Sequence, residues 1–207
     1  MKIFCLFLIA ALAWSEPNAR IVYTKKFPQS IPAFVGITID HDGSAVYREA
    51  ENDDQPVKFQ MAKADVDSIF ALAEKLDHFK KPLESGLKVA FMGEKTFRWE
   101  SGADTSEAKF NYSLEEDARA LNDWFEKISE TQMRLFDLER SARFDKLGVN
   151  KAILQLEIAL DRKRVVGPER FLPMLDRISK NDSYLHMARE RAASLADAIR
   201  KGTAKTE

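Results

Sequence analysis

The stretch ITIDHDGSAVYRE, residues 37–49, gathers the side chains best suited to chemistry: two aspartates, a histidine and a serine around Gly43. Carboxylates and an imidazole this close together could bind a cation or transfer protons. An EF-hand calcium loop beginning at Asp40 would need an acid and then a glycine where this chain has Ser44 and Ala45. Asp-Gly between two apolar runs is instead a favoured hairpin turn, and we interpret the stretch as a turn.

Four carboxylates define an enzymatic alternative: Asp40 and Asp42 in this stretch, and Asp53 and Asp54 in the polar segment after it. Hydrolysis by a pair of carboxylates requires two of them to face one cleft from separate segments, which a sequence does not show. The three histidines lack the spacing of a zinc-binding pair, and no nucleophile elbow or glycine-rich phosphate loop occurs. The sequence therefore indicates no cofactor and no metal, and it favours a non-enzymatic protein over an enzyme.

The overall composition is that of an ordinary globular protein. The 207 residues are 45% hydrophobic and 31% charged, and the net charge is −1. A nucleic-acid-binding protein usually carries a basic patch or stripe, so we expect no nucleic acid partner.

The first thirteen residues, MKIFCLFLIAALA, have the pattern of a secretory signal peptide. A lysine precedes a short apolar run that ends in small residues, which predicts cleavage after Ala13 or Ser15. The run is too short to span a bilayer comfortably, so we expect no stable membrane span after cleavage. Removal of this segment also removes Cys5, the single cysteine. The predicted location is periplasmic or secreted.

Residues 20–130 show the pattern of an α+β domain with an antiparallel sheet. The expected order is strand, strand, helix, strand, strand, helix. Apolar residues at three- and four-residue steps predict the first helix, within residues 62–79. LKVAFM and KTFRWE, on either side of Gly93-Glu94, predict two strands joined by a tight hairpin.

A long helix is predicted over residues 114–147, where no proline or glycine interrupts the apolar stripe. Ser113 and Glu116 have the spacing of a capping box at its start. A helix of that length spans about 50 Å, so we expect it to leave the α+β domain and to carry a helical subdomain, residues 149–202. There we predict three helices, with Pro173 restarting or kinking the second and Asp182 or Ser183 capping the third.

The last helix is the candidate interaction surface. Arg189 and Arg200 make part of it basic, and Ala192 and Ala196 stand four residues apart. Small residues at that spacing let another helix approach closely. Two interpretations stay open here: the alanines pack within the chain, or they receive a helix of a partner protein.

Two resemblances add to this pattern. The run PAFVGITIDHDGSAVYRE, followed by a helix and more strands, resembles exported bacterial α+β domains over residues 20–130. Those domains often carry a Gly-x-Cys-Pro segment, where this chain has Gln29-Ser30-Ile31-Pro32 without the cysteine. The resemblance implies an exported protein and assigns no catalytic residue. The last two predicted helices loosely resemble one HEAT-type pair, a unit that is stable only in arrays.

Three functions follow as hypotheses. The first is an exported, non-enzymatic binding or protein-interaction module, whose partner is an unidentified protein of the envelope or the extracellular space. The second is a carboxylate-dependent hydrolase. The third is a structural protein that self-associates through its C-terminal helices, since the sequence leaves the oligomeric state open.

Overall fold

The computed structural model describes residues 19–202, and a six-stranded sheet occupies the first part of that range. The strands are β1 (Arg20–Lys26), β2 (Phe34–Asp40), β3 (Ser44–Arg48), β4 (Val57–Gln60), β5 (Glu94–Ser101) and β6 (Asp104–Phe110). Their order is β4-β3-β2-β1-β5-β6, and every neighbouring pair is antiparallel.

The described residues also form five α-helices and two short 3-10 turns. The helices are α1 (Lys63–Lys75), α2 (Glu116–Phe144), α3 (Val149–Asp161), α4 (Leu172–Ser179) and α5 (His186–Arg200), and the turns are Asp77–Phe79 and Pro168–Phe171. The α+β class with a helical C-terminal part, which the sequence predicts, is confirmed. Pro173 lies in the first turn of α4, where the chain restarts a helix after the second 3-10 turn.

One hydrophobic core lies between the sheet and the first two helices. Alternate residues of each central strand point to this core, as in β1, where Ile21 and Tyr23 are buried. The long helix α2 crosses beneath the sheet: the ring of Phe125 stacks on that of Tyr23 with centroids 4.5 Å apart, and Phe136 lies 6.2 Å from Tyr47 of β3. The opposite face of the sheet carries mostly threonines and charged residues, among them Thr24, Thr96 and Arg98.

A second core lies among α2, α3, α4 and α5. It includes Leu138, Ile153, Phe171, Leu175 and Leu195, all buried. Helix α2 has 29 residues and is about 43 Å long, so its first half reaches the sheet core and its second half the helical core. Because α2 belongs to both cores, the division into an α+β domain and a helical subdomain stays a prediction.

The connection between α3 and α4 fastens the helical part onto α2. The buried N–H of Val166 donates to Oγ1 of Thr131 at 2.9 Å. Arg164 forms an ion pair with Asp123, and its Nε donates to Glu130 Oε2 at 3.0 Å. The α2 residues in these three contacts are Asp123, Glu130 and Thr131. Their spacing of seven and eight residues places them on one face of α2, so the connection lies along that face.

One further contact extends this attachment. The guanidinium of Arg170 lies 4.3 Å above the ring of Phe59 in β4, so the attachment reaches the edge of the sheet.

Burial opposes the ionisation of Asp123, but hydrogen bonds from Lys127 and Arg164 outweigh it, so the pKa of Asp123 lies below its usual value.

The predicted strand over residues 87–92 and the hairpin at Gly93-Glu94 are wrong. Residues 80–93 form no helix or strand, and the turn before β6 lies at Gly102 instead. The reason is that β5 pairs with β1 on one side and with β6 on the other. Both of its edges are occupied, and no place remains beside it for residues 87–92.

The predicted helix caps also differ from the structure. Oγ of Ser113 accepts the N–H of Glu115 at 3.2 Å, and α2 begins at Glu116 and ends at Phe144 rather than spanning residues 114–147. Helix α5 begins at His186, with Leu185 at the cap position and no side-chain cap. The predicted caps Asp182 and Ser183 lie before that position, and Asp182 pairs with Arg189 of α5 instead.

Candidate functional site

The residues of the stretch 37–49 that lie between β2 and β3 form a turn. Arg20 Nε donates to Asp40 Oδ1 at 2.8 Å, and the N–H of Ser44 donates to Asp42 Oδ1 at 2.8 Å. That backbone hydrogen bond lowers the pKa of Asp42. Gly43 has a φ of +88°, a conformation that glycine adopts without strain. A polar cleft of about 420 Å³ lies beside the turn, but both aspartates already have structural partners.

The second pair of acids lies at the other end of β3. Asp53 accepts the N–H of Gln55 at 2.9 Å and the N–H of Glu49 at 3.3 Å, and it therefore stabilises the loop between β3 and β4. Since β3 begins after the turn at Asp42 and ends before this loop, Asp40 and Asp42 are separated from Asp53 and Asp54 by the length of the strand. The four carboxylates do not share a cleft.

The histidines pack against neighbours instead of converging. The ring of His41 meets the ring of Phe70 edge-on at 4.8 Å, and the ring of His78 lies 4.2 Å from that of Trp99. Within residues 19–202, no group of three or more His, Cys, Asp or Glu side chains is placed to hold a metal ion.

The residues of the candidate interaction surface on α5 face their own chain. Ala192 and Ala196 are fully buried against the other helices of the second core. Arg200 makes two hydrogen bonds of 2.6 Å to the carboxylate of Asp176 in α4, and Arg189 pairs with Asp182. In this conformation the two alanines are not available to a partner helix, and both arginines have intramolecular partners.

A groove of about 510 Å³ runs between the second half of α2 and the loop that joins β1 to β2. We call it the α2 groove; its lining residues are Ile31, Pro32, Glu49, Met133, Phe136, Asp137, Glu139, Arg140, Arg143 and Phe144. Ile31 is 94% exposed and Phe144 is 77% exposed. Large apolar side chains that are grouped on an exposed surface often mark a binding site.

Charged side chains surround the apolar part of the α2 groove. Arg140 donates to Asp137 at 2.9 Å, so these two largely neutralise each other. Glu49 accepts the hydroxyl of Tyr47 at 3.0 Å, and burial with the nearby Glu49 charge raises the pKa of that hydroxyl. Glu139 and Arg143 are exposed, and the Arg143 guanidinium lies 5.9 Å from the ring of Phe144.

The sequence of α2 contains a signal for this groove. The buried stripe of α2 runs through Leu121, Phe125, Ile128 and Leu138. Met133, Phe136 and Phe144 form a second apolar stripe beside it, at steps of three and eight residues, with the charged Arg140 between the last two. A helix with two adjacent apolar stripes packs one against its own core and leaves the other for a further contact.

Comparison with known proteins adds no relative: no protein-family model matches the chain, and no curated protein matches it significantly. Among the helices of residues 19–202, none combines the length and the apolar character needed to cross a membrane.

Proposed function

We propose that this protein is an exported, non-enzymatic interaction module that binds an apolar segment of another protein in the α2 groove. The observation that carries the proposal is the groove itself, with Ile31 and Phe144 exposed on its two sides. Covering one such side chain fully contributes about 1.5–3 kcal/mol. A volume near 500 Å³ also lies within the usual range of ligand sites, about 300–1,000 Å³.

The shape of the groove suits a short helix. The stripe from Met133 to Phe144 covers eleven residue steps along α2, which is about 16 Å. A partner helix of about three turns has that length, and amphipathic helices commonly bind in apolar grooves between other elements. Such a partner would place its apolar residues at three- and four-residue steps against Phe136 and Phe144.

The charges of the groove favour a partner with a basic flank. With Asp137 and Arg140 paired, the remaining lining charges are Glu49, Glu139 and Arg143. Two carboxylates face one guanidinium, so a lysine or arginine beside the apolar anchor gains more than an acid does. The proposed partner is therefore a basic amphipathic helix of another exported protein.

Export is supported by the predicted signal peptide, residues 1–13, which lies outside the described residues. The hydrolase alternative receives no support from the placement of Asp40, Asp42, Asp53 and Asp54 at opposite ends of β3.

Binding of designed peptides tests the proposal. Two fluorescent helical peptides would share the same apolar stripe, one with lysine flanks and one with glutamate flanks, and binding would be measured by anisotropy. We expect the basic peptide to bind at least about tenfold more tightly, a difference of about 1.4 kcal/mol. The double variant Ile31→Ser, Phe144→Ser should lose at least about tenfold in affinity.

The matched control is Met187→Ser, which removes an exposed apolar side chain from α5 and should leave binding unchanged. Equal binding by wild type and the double variant would show that the groove is not the site. Failure of both peptides to bind at millimolar concentration, or a preference for the acidic peptide, would overturn the proposed partner.

A further inference from the structure

A second exposed apolar region lies just before β5. Residues 86–92, which we call the apolar arm, are exposed throughout. Its large side chains Leu87, Val89, Phe91 and Met92 are each between 44% and 62% exposed. The arm contains one charged residue, Lys88, and Phe91 contacts only the edge of Phe27 at a centroid distance of 5.9 Å among the aromatic rings described.

Asn111 holds one edge of the arm in the manner of a neighbouring strand. Its Oδ1 accepts the N–H of Met92 at 2.8 Å, and its Nδ2 donates to the C=O of Ala90 at 3.1 Å. In a parallel sheet, the backbone of one residue makes the same pair of bonds to the neighbouring strand. It donates to the C=O of the residue that precedes its opposite residue and accepts the N–H of the residue that follows it. The side-chain amide of Asn111 therefore satisfies the inner edge of the arm.

Other bonds fix the base of the arm. The N–H of Asn111 donates to Glu84 at 2.6 Å, and Nζ of Lys95 donates to the Asn111 C=O at 2.7 Å. At the end of the arm Gly93 has a φ of +98°, and a Cβ there would lie 2.9 Å from Cβ of Phe27. The arm is thus held at its base and along its inner edge by the bonds of Asn111, while its side chains are exposed.

The outer edge of the arm carries backbone N–H and C=O groups that a further strand could pair with. The N–H of Val89 donates to the C=O of Leu87 at 3.0 Å, which leaves the C=O of Val89 and both backbone groups of Phe91 on this edge. None of these three groups bonds to any residue between 19 and 202. A short, apolar segment with open backbone groups is a template for strand pairing.

We propose that two copies of the protein associate by pairing their apolar arms as antiparallel strands around a two-fold axis. The open edge carries Val89 and Phe91, so these residues face each other across the pair and Ala90 faces its own copy at the axis. The N–H of Phe91 in each copy donates to the C=O of Val89 in the other. This inference is independent of the α2 groove.

The sequence of the arm is complementary to itself in this register. Phe91 opposite Val89 is an aromatic and β-branched pair, a favourable cross-strand combination. Alanine at the axis lets the two strands approach, and the charge of Lys88 faces Met92 instead of a second lysine. A lipid surface suits the arm less well, because its open N–H and C=O groups would lose water without gaining partners.

Cysteine crosslinking tests the register in the full chain. In a Cys5→Ser background, Ala90→Cys places two thiols opposite each other, where Cα atoms of an antiparallel pair lie about 4.5–5.5 Å apart and a disulfide can form. Lys88→Cys is the matched control on the same arm: its two copies would be about 13 Å apart, too far to bridge. We expect dimers from Ala90→Cys and at least about tenfold fewer from Lys88→Cys.

Sedimentation equilibrium supplies the second readout. The pair is small and the association therefore weak, so we expect dimerisation in the range from about 10 to about 500 µM. Ala90→Lys should abolish it by placing two lysines at the axis, whereas Lys88→Glu should retain it. The proposal would be overturned by equal crosslinking at both positions, by monomers at every concentration, or by unchanged dimerisation of Ala90→Lys. Binding to anionic phosphatidylglycerol vesicles by a protein that stays monomeric would also overturn it.

Discussion

Replacing Thr131 with valine tests how the α3–α4 connection is attached to α2. Thr131 is fully buried. Its Oγ1 accepts the buried N–H of Val166 at 2.9 Å and donates to the C=O of Lys127 at 2.8 Å. Valine has nearly the same shape and no hydroxyl. The substitution therefore keeps the packing and removes the acceptor of one buried amide.

The expected loss of stability follows from that unpaired amide. A buried donor without an acceptor costs about 1–3 kcal/mol. Loss of the bond to Lys127 adds little, because that carbonyl also accepts the N–H of residue 131 within the α-helix. We therefore expect the free energy of unfolding, measured in urea, to fall by about 1–3 kcal/mol.

Amide hydrogen exchange locates the effect and separates it from general destabilisation. Thr131→Ser is the control: it keeps the hydroxyl and loses one methyl group, worth about 1 kcal/mol. The Val166 amide should exchange faster in Thr131→Val, beyond what global unfolding explains, and should stay protected in Thr131→Ser. Equal protection of this amide in both variants would refute the reasoning.

Three further predictions concern charge, packing and backbone conformation. The pKa of Asp123 is lowered in the folded protein, so its stabilising effect is complete above the ordinary pKa of 3.8 and is lost as the pH falls through the folded pKa. In Asp123→Asn, the free energy of unfolding in urea should therefore differ less between pH 7 and acid pH than it does in wild type. An unchanged difference would contradict this. Ala192→Leu should lower the melting temperature, because overpacking costs about 1–3 kcal/mol of stability. Ala193 is exposed on the same helix, so Ala193→Leu should change the stability by no more than about 0.5 kcal/mol. Similar shifts in melting temperature would mean that Ala192 is not in the core. Gly93→Ala should lower the free energy of unfolding in urea more than Gly86→Ala does. Both glycines have positive φ, but of the two only Gly93 has atoms within 4 Å of the added Cβ. Equal losses of stability would argue against that close contact.

Much of the fold could be predicted from local patterns. The apolar runs on either side of Asp42-Gly43 and the three- and four-residue steps of α1 each depend only on neighbouring residues along the chain. They predict strands and helices because a strand or helix exposes one face at a fixed period. The turn at Gly43 was predictable for the same reason, since its conformation depends on two or three residues.

The failures occurred where the outcome depends on distant segments. LKVAFM has the pattern of a strand, but a strand needs a free edge, and β1 and β6 already occupy both edges of β5. The spacing of Ser113 and Glu116 suits a capping box, but the start of α2 depends on how the chain leaves β6. Ala192 and Ala196 suit either a partner or the core, and α3 and α4 decide between them.

The sequence by itself determined the class of the fold, the periods of its elements and the lack of clustered catalytic motifs, because these depend on residue types and short spacings. Only the tertiary structure decided which apolar surfaces are covered. Phe136 and Phe144 lie on a helix as regular as any other, and Leu87 and Phe91 lie in a segment as apolar as any strand. They stay exposed because the burial of a side chain is determined by what packs against it, and its neighbours in space come from distant parts of the chain.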